Sequence, residues 1–173
     1  MFNDLFKAEK VAIVGEQSVL FRGLNFGDSP AIVVANLGEP RFGIENHGIS
    51  SSVYFYKEKI GNHRVVIQIH FLGSEFFYAC CEFRDESQAD RKFVRRMLFE
   101  KYAPLHLEMS DTKDHLVDRG NSIVSIYDNV NFRILYLWGD DKIRNAVSEN
   151  IFPLSFSKEE ERQRWKEDLR RKL

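Results

Sequence analysis

The sequence predicts an α+β protein in which helices pack against one antiparallel sheet. Three strand-like runs, at 51–58, 64–72 and 75–83, follow one another with short turns between them, as in a meander. Helical patterns with recognisable end signals flank this meander at 29–37 and 87–102. The chain has 173 residues, 43% of them hydrophobic, which is the size and composition of one domain with one core. We therefore expect a single domain over the whole chain.

The first helix is predicted by what stands at its two ends. Ser29 can cap its amino end, and Pro30 suits the first helical position because its missing N–H would have no partner there. Gly38 is predicted to end the helix in the left-handed conformation. The β-branched run at 32–34 leaves a strand as the alternative.

Alternation along the meander predicts one buried face and one partly wet face. Gly73 and Ser74 form a two-residue turn, which pairs Leu72 with Glu75. In that register one face, predicted to be the core, carries Val65, Ile67, Ile69, Phe71, Phe76, Tyr78 and Cys80. The opposite face, predicted to be half-covered or wet, carries Gln68, His70, Phe77, Ala79 and Cys81.

The helix at 87–102 is predicted by a capping box and an apolar stripe. Ser87 and Asp90 are three positions apart, which is the spacing of the box. The stripe consists of Phe93, Val94, Met97, Leu98 and Tyr102.

Further elements extend the sheet and the helical layer. A hairpin at 121–138, turned by Asp128 and Asn129, brings the sheet to about five or more strands. Shorter elements are a helical turn at 2–8, strand-like runs at 11–14 and 19–21, and a helix at 141–150. A charged helix at 157–172 has only a narrow apolar row, so we expect it to lie on the surface as a peripheral element.

Composition narrows the classes of partner. Lys and Arg number 25 and Asp and Glu 26, a net charge of −1, so we do not expect nucleic acid as a partner. No apolar run reaches the roughly 20 residues of a membrane-spanning helix, so we expect no membrane partner. Cys80 and Cys81 are adjacent and point to opposite faces of a strand, which predicts two reduced thiols and a cytoplasmic location.

A short motif joins the first helix to the segment after it. Gly27, Val33, Leu37, Gly38 and Pro40 give the spacing G-x5-V-x3-L-G-x-P. This motif resembles the helix-to-strand motif of the small outer-membrane assembly lipoproteins (BamE, also called SmpA/OmlA) and that of β-lactamase-inhibitor-like domains. The resemblance implies a helix packed on an antiparallel sheet, in a scaffold usually used to bind proteins. The lipoprotein role is not expected to carry over, because no lipobox cysteine stands near the start.

No catalytic motif stands in the sequence, and we predict no catalytic residue and no cofactor. One candidate metal site has the spacing i, i+3, i+4, i+7, which would align its members on one helix face: Asp111, Asp114, His115 and Asp118. The alternative is a polar loop in which the aspartates make turns. His70 and Cys81 share a face in the predicted register and could form a nucleophilic pair. Packing of the cysteine as a small buried hydrophobe is the alternative.

Two charged surfaces are candidates for binding a protein partner. The helix at 87–102 carries Arg91, Lys92, Arg95 and Arg96 opposite its apolar stripe, and the segment after it carries Glu108, Asp111, Asp114 and Asp118. Either could complement an oppositely charged protein or could be an ordinary solvated surface. The leading hypothesis is a non-enzymatic protein-binding module, most specifically an immunity-type inhibitor of a toxin or enzyme. The alternatives are a small metal-dependent enzyme using the aspartate cluster and a structural subunit of a larger assembly, docked through its carboxyl-terminal helix.

Overall fold

The fold comes from a computed structural model, and the structure describes residues 13–14, 18–84, 86–102, 115–128 and 131–149. The described strands are β1 (Ile13–Val14), β2 (Phe42–His47), β3 (Ser50–Ile60), β4 (His63–Leu72), β5 (Glu75–Arg84), β6 (His115–Val117), β7 (Ile123–Asp128) and β8 (Phe132–Leu137). The described helices are α1 (Pro30–Leu37), α2 (Gln88–Tyr102) and α3 (Asp141–Glu149). The predicted α+β class with an antiparallel sheet is confirmed.

One sheet contains all the described strands, in the order β1-β6-β7-β8-β5-β4-β3-β2. The meander predicted from the sequence corresponds to β3, β4 and β5, and the second hairpin corresponds to β7 and β8. Strands β5 and β8 pair with each other and so join the two groups. Neighbouring strands run antiparallel except β1 and β6, which run parallel. The central strands β8 and β5 are therefore hydrogen-bonded to a neighbouring strand along both edges.

A β-bulge at the start of β5 changes the predicted register. Phe76 lies opposite its expected partner, but the partner of His70 is Tyr78, so Phe77 is the extra residue. Beyond the bulge the alternation is inverted, because one inserted residue exchanges the two faces. Ile67, Ile69, Ala79 and Cys81 share one face, the first face, and Gln68, His70, Tyr78 and Cys80 share the other, the second face. The predicted face assignments of Tyr78, Ala79, Cys80 and Cys81 are therefore wrong.

Both faces are buried at the centre of the sheet. The first face packs against Val33 of α1 and Leu98 of α2. The second face packs against Ile143 of α3. Gln68 and His70 are 5% and 0% exposed, so the prediction that the second face is half-covered or wet is wrong.

Helix α1 begins and ends where its end signals predict. The Ser29 hydroxyl accepts a weak hydrogen bond from the Ile32 N–H at 3.5 Å, and the Gly38 N–H donates to the Val34 carbonyl at 2.8 Å. Gly38 has φ 83° and ψ −177°. The positive φ is as expected, but the residue adopts the extended mirror-image region that glycine alone tolerates, not the left-handed helical region. The strand alternative for this segment is wrong.

Helix α2 has the predicted capping box but buries a different stripe. The Ser87 N–H donates to the Asp90 carboxylate at 2.9 Å, and the Asp90 N–H donates to the Ser87 hydroxyl at 3.2 Å. The buried residues of the helix are Leu98, Phe99 and Tyr102. Phe93 and Met97 face solvent instead, so the predicted stripe is wrong at these two positions.

The other predicted elements have mixed outcomes. The predicted strand at 19–21 is wrong, because Phe21 and Leu24 form only an isolated bridge, around a turn in which Arg22 and Gly23 have positive φ. The predicted helix at 141–150 corresponds to α3. The predicted turn at 2–8, the helix at 157–172 and Asn129 lie outside the described residues.

Gly139, which follows β8, lies directly against the turn between β6 and β7. Its N–H donates to the Ser122 hydroxyl at 3.1 Å. A Cβ atom at this position would come within 2.2 Å of the Asn121 carbonyl carbon and 2.3 Å of the Gly120 oxygen. Two segments of backbone therefore meet here at a distance that only glycine permits.

Candidate functional site

Helix α2 is anchored on the first face of the sheet near both of its ends. The capping box fixes its amino end, and three buried side chains fix its carboxyl half. The Tyr102 hydroxyl donates a hydrogen bond to the Leu20 carbonyl at 3.1 Å, which ties the end of the helix to the segment before α1. Any side chain on the outer side of α2 is therefore presented from a fixed support.

Arg91 and Arg95 point toward the sheet and pair with acidic side chains. One Arg91 nitrogen lies 2.6 Å from an Asp128 oxygen, and another lies 2.6 Å from a Glu86 oxygen. Arg95 lies 3.4 Å from the second Asp128 oxygen. The Arg91 guanidinium also lies 5.8 Å from the centre of the Phe132 ring. The hydrogen bond to Asp128 raises the pKa of Arg91 above its usual value.

These contacts divide the basic face predicted from the sequence. The side chains of Arg91 and Arg95 are only 17% and 14% exposed, so their inclusion in an exposed basic face is wrong. The reason is Asp128, which lies at the end of β7 and was assigned to a turn in the sequence analysis. Lys92 and Arg96 are exposed.

The outer side of α2 combines these two cations with two large apolar side chains. Phe93 is 55% exposed and Met97 is 53% exposed. Two positions along a helix correspond to a rotation of about 200°, so Phe93 and Met97 lie almost opposite Arg91 and Arg95. We call the exposed surface formed by Lys92, Phe93, Arg96 and Met97 the outer face of α2.

Sequence reasoning missed the apolar part of this surface. It assigned Phe93 and Met97 to one buried stripe with Val94, Leu98 and Tyr102, and it left out Phe99, which cannot share a narrow stripe with Phe93. That excess of apolar residues over one face is the signal that could have indicated an exposed pair.

The acidic segment is described only at its end. Glu108, Asp111 and Asp114 lie outside the described residues. Asp118 is 7% exposed, and its carboxylate accepts hydrogen bonds from the backbone N–H groups of Val19, Gly120 and Ser122, at 2.7, 2.8 and 2.8 Å. Asp118 thus organises a buried turn, and the expectation that it belongs to an exposed docking loop is wrong.

The predicted metal site required residues 111–118 to form a helix. His115 lies in strand β6, so the helical alignment of His115 with Asp118 does not form. Among the described residues, no group of three or more His, Cys, Asp or Glu side chains is arranged to hold a metal ion. Asp111 and Asp114, the other two members of the predicted cluster, are outside that comparison.

The proposed cysteine–histidine pair is also rearranged. Cys81 lies on the first face and His70 on the second, so the pairing of Cys81 with His70 is wrong, and Cys80 is the cysteine on the side of His70. Burial raises the pKa of Cys80 to about 12, so its thiol stays protonated at neutral pH. His70 instead shares a hydrogen bond with the Ser50 hydroxyl, 2.8 Å from Nδ1 to Oγ. His70 and Ser50 are both almost wholly buried, which is typical of a structural hydrogen bond and not of a nucleophile that must meet a substrate.

Comparisons with known proteins give no relative. No protein-family model matches the chain, no curated protein matches its sequence, and no solved structure matches its fold. Within the described ranges no helix has the length and apolar character needed to cross a membrane.

Proposed function

We propose that this chain is a non-enzymatic protein-binding module that docks through the outer face of α2. The observation that carries the proposal is the exposure of Phe93 and Met97, one helical turn apart and bordered by Lys92 and Arg96. Single exposed apolar residues are common on protein surfaces, but a paired aromatic and methionine beside an arginine has the composition of interface centres.

The support beneath this face favours binding as well. Residues on a rigid element lose little conformational freedom when a partner arrives, so more of the contact energy appears as affinity. Here the capping box, the ion pairs of Arg91 and the buried carboxyl half of the helix all fix the same element. The outer face is therefore preorganised.

The most specific version of the proposal is an immunity-type inhibitor of a toxin or enzyme. One support is the resemblance of residues 27–40 to inhibitor-like domains. The other is the outer face of α2, where apolar and charged side chains stand together in a surface that could cover a partner's site. The protein would act by occupying that site, without chemistry of its own.

Quantitative affinity purification from the native host tests the module. The double variant F93E/M97E places carboxylates on the outer face, and I32E is the matched control, because Ile32 is an apolar helical residue 45% exposed on α1. We expect one protein to be retained by the wild type and by I32E and lost by F93E/M97E, with all three proteins melting at similar temperatures. Calorimetry on the purified pair should reproduce the difference.

Two results separate the module from the inhibitor. If F93E/M97E retains the same proteins as the wild type, the outer face is an ordinary solvated surface and the module is refuted. If a partner binds through this face but its toxic or enzymatic activity is unchanged by a stoichiometric amount of the protein, the module stands and the inhibitor version fails.

A further inference from the structure

We infer that the partner of the outer face of α2 is an acidic protein surface: an apolar groove bordered on one side by carboxylates. This inference rests on the proposed function and adds the chemistry of the partner. It follows from the charges that remain on the helix once the inward ion pairs are taken into account.

The inward arginines contribute little to the outer surface. Arg91 and Arg95 are paired with Glu86 and Asp128 beneath the helix. What faces outward is Lys92 and Arg96, with Lys101 further along, and two carboxylates, Glu100 and the 40% exposed Asp90. The outer side of the helix is therefore net positive, although the whole chain carries a net charge of −1.

The carboxylate that pairs with Arg96 does not make this arginine inaccessible to a partner. Arg96 lies 3.3 Å from Glu100, and the two side chains are 62% and 65% exposed. An exposed pair of this kind contributes little stability, because water and salt screen it and two long side chains must be held in one geometry. Arg96 can therefore leave Glu100 for a carboxylate of the partner at small cost.

The helical geometry sets the shape of the complementary surface. Phe93 and Met97 are four positions apart, about 6 Å along the axis, and form an apolar ridge. Lys92 and Arg96 have the same spacing and form a basic ridge about 100° around the helix. A partner that meets both needs a groove for the first ridge and carboxylates beside the second, which is how acidic grooves recognise amphipathic helices.

The charges and the apolar composition of the outer face together disfavour other occupants. A second copy of the chain would bring Lys92 and Arg96 close to their own symmetry mates. Single-stranded nucleic acid needs several stacking rings, and the outer face offers only Phe93. An anionic membrane surface needs a longer apolar face than one aromatic ring and one thioether.

A peptide library displayed on phage, selected against the whole immobilised protein, tests the inference directly. Selected peptides eluted by competition are sequenced, and the strongest is synthesised for anisotropy measurements against the wild type, F93A/M97A, K92E/R96E and I32E. We expect enriched peptides to combine large apolar residues with Asp or Glu. K92E/R96E should weaken binding about tenfold at low salt, since two exposed charge pairs are each worth roughly 0.7 kcal/mol. The loss should shrink as salt rises.

The outcomes distinguish the inference from the function on which it rests. Peptides that require Phe93 and Met97 but lack acidic residues, or that bind K92E/R96E as tightly as the wild type, refute the acidic partner and leave the module standing. If no peptide loses affinity for F93A/M97A, both fail. Tighter binding of oligo(dT) or of phosphatidylserine vesicles, or a dimer in sedimentation that F93A/M97A abolishes, also overturns the acidic protein partner. I32E should match the wild type throughout.

Discussion

Removing the buried imidazole of His70 should change how the stability of this protein depends on pH. His70 lies near the carboxyl end of β4 with no exposed surface, packed against the Tyr78 ring at 4.9 Å between centres. Burial, and secondarily the nearby His47, lowers its pKa from 6.5 to about 3. The folded protein therefore keeps this imidazole neutral in a range where the unfolded chain protonates it.

The sign and size of the effect follow from that difference. Between about pH 6.5 and pH 3 the unfolded state binds more protons than the folded state, so the free energy of unfolding falls as the pH falls. With pKa values of 6.5 and about 3, a single group removes about 2 kcal/mol between roughly pH 7 and pH 5. This is a measurable fraction of the 5–15 kcal/mol that typically stabilises a domain.

Urea unfolding of the wild type, H70Q and S50A at several pH values measures this. H70Q removes the titrating group and should flatten the curve by about 2 kcal/mol over that range, even if it lowers stability at neutral pH. S50A removes the hydrogen bond but leaves the imidazole buried, so its pH dependence should follow the wild type. If H70Q keeps the wild-type slope, or if the His70 ring titrates above pH 5 by NMR in the folded protein, the reasoning from burial is wrong.

Three further predictions concern packing and reactivity. G139A should lower the free energy of unfolding by about 1–3 kcal/mol, because the added Cβ would clash with backbone atoms. A Cβ at Gly43 would meet its neighbours at ordinary contact distances, so the control G43A should lose clearly less stability. Equal losses in thermal unfolding would contradict this. D118N should lower the free energy of unfolding by about 1–3 kcal/mol, because an amide nitrogen replaces one carboxylate oxygen that accepts hydrogen bonds from backbone N–H groups. An unchanged melting temperature would contradict the stabilising role of Asp118 in its turn. Cys80 and Cys81 form no disulfide and are buried, and burial raises the pKa of both thiols. Their reaction with a thiol reagent should therefore be slow without denaturant. Fast labelling at neutral pH would contradict this.

Local signals in the sequence were sufficient for most of the fold. Ser29 and Ser87 cap helices in the structure as their spacing predicts, because a cap requires only residues within one turn. Gly73 has the positive φ that the two-residue turn requires. These features depend on neighbours in sequence, so pattern and propensity are enough to identify them.

The features that sequence reasoning missed depend on distant residues. The bulge at Phe77 cannot be read from alternation, because Phe76 and Phe77 are both apolar and either one fits a buried face. Asp128 meets Arg91 across 37 positions, and nothing near either residue indicates the pairing. Sequence reasoning therefore placed Arg91 and Arg95 on the exposed side of α2 and Phe93 and Met97 on its buried side, and both placements are wrong.

Helix α2 departs in part from the usual pattern of a surface helix. Its carboxyl half buries Leu98, Phe99 and Tyr102. Two arginines also face the sheet, while Phe93 and Met97 face water. The observed orientation also places charge in a partly buried site, where an ion pair often stabilises no more than a well-packed apolar side chain would. Burial of Leu98, Phe99 and Tyr102 fixes the orientation of the helix, and this orientation leaves Phe93 and Met97 exposed. Departures of this kind tend to occur where a surface has a second task, and in the function we propose that task is to present Phe93 and Met97 to another protein.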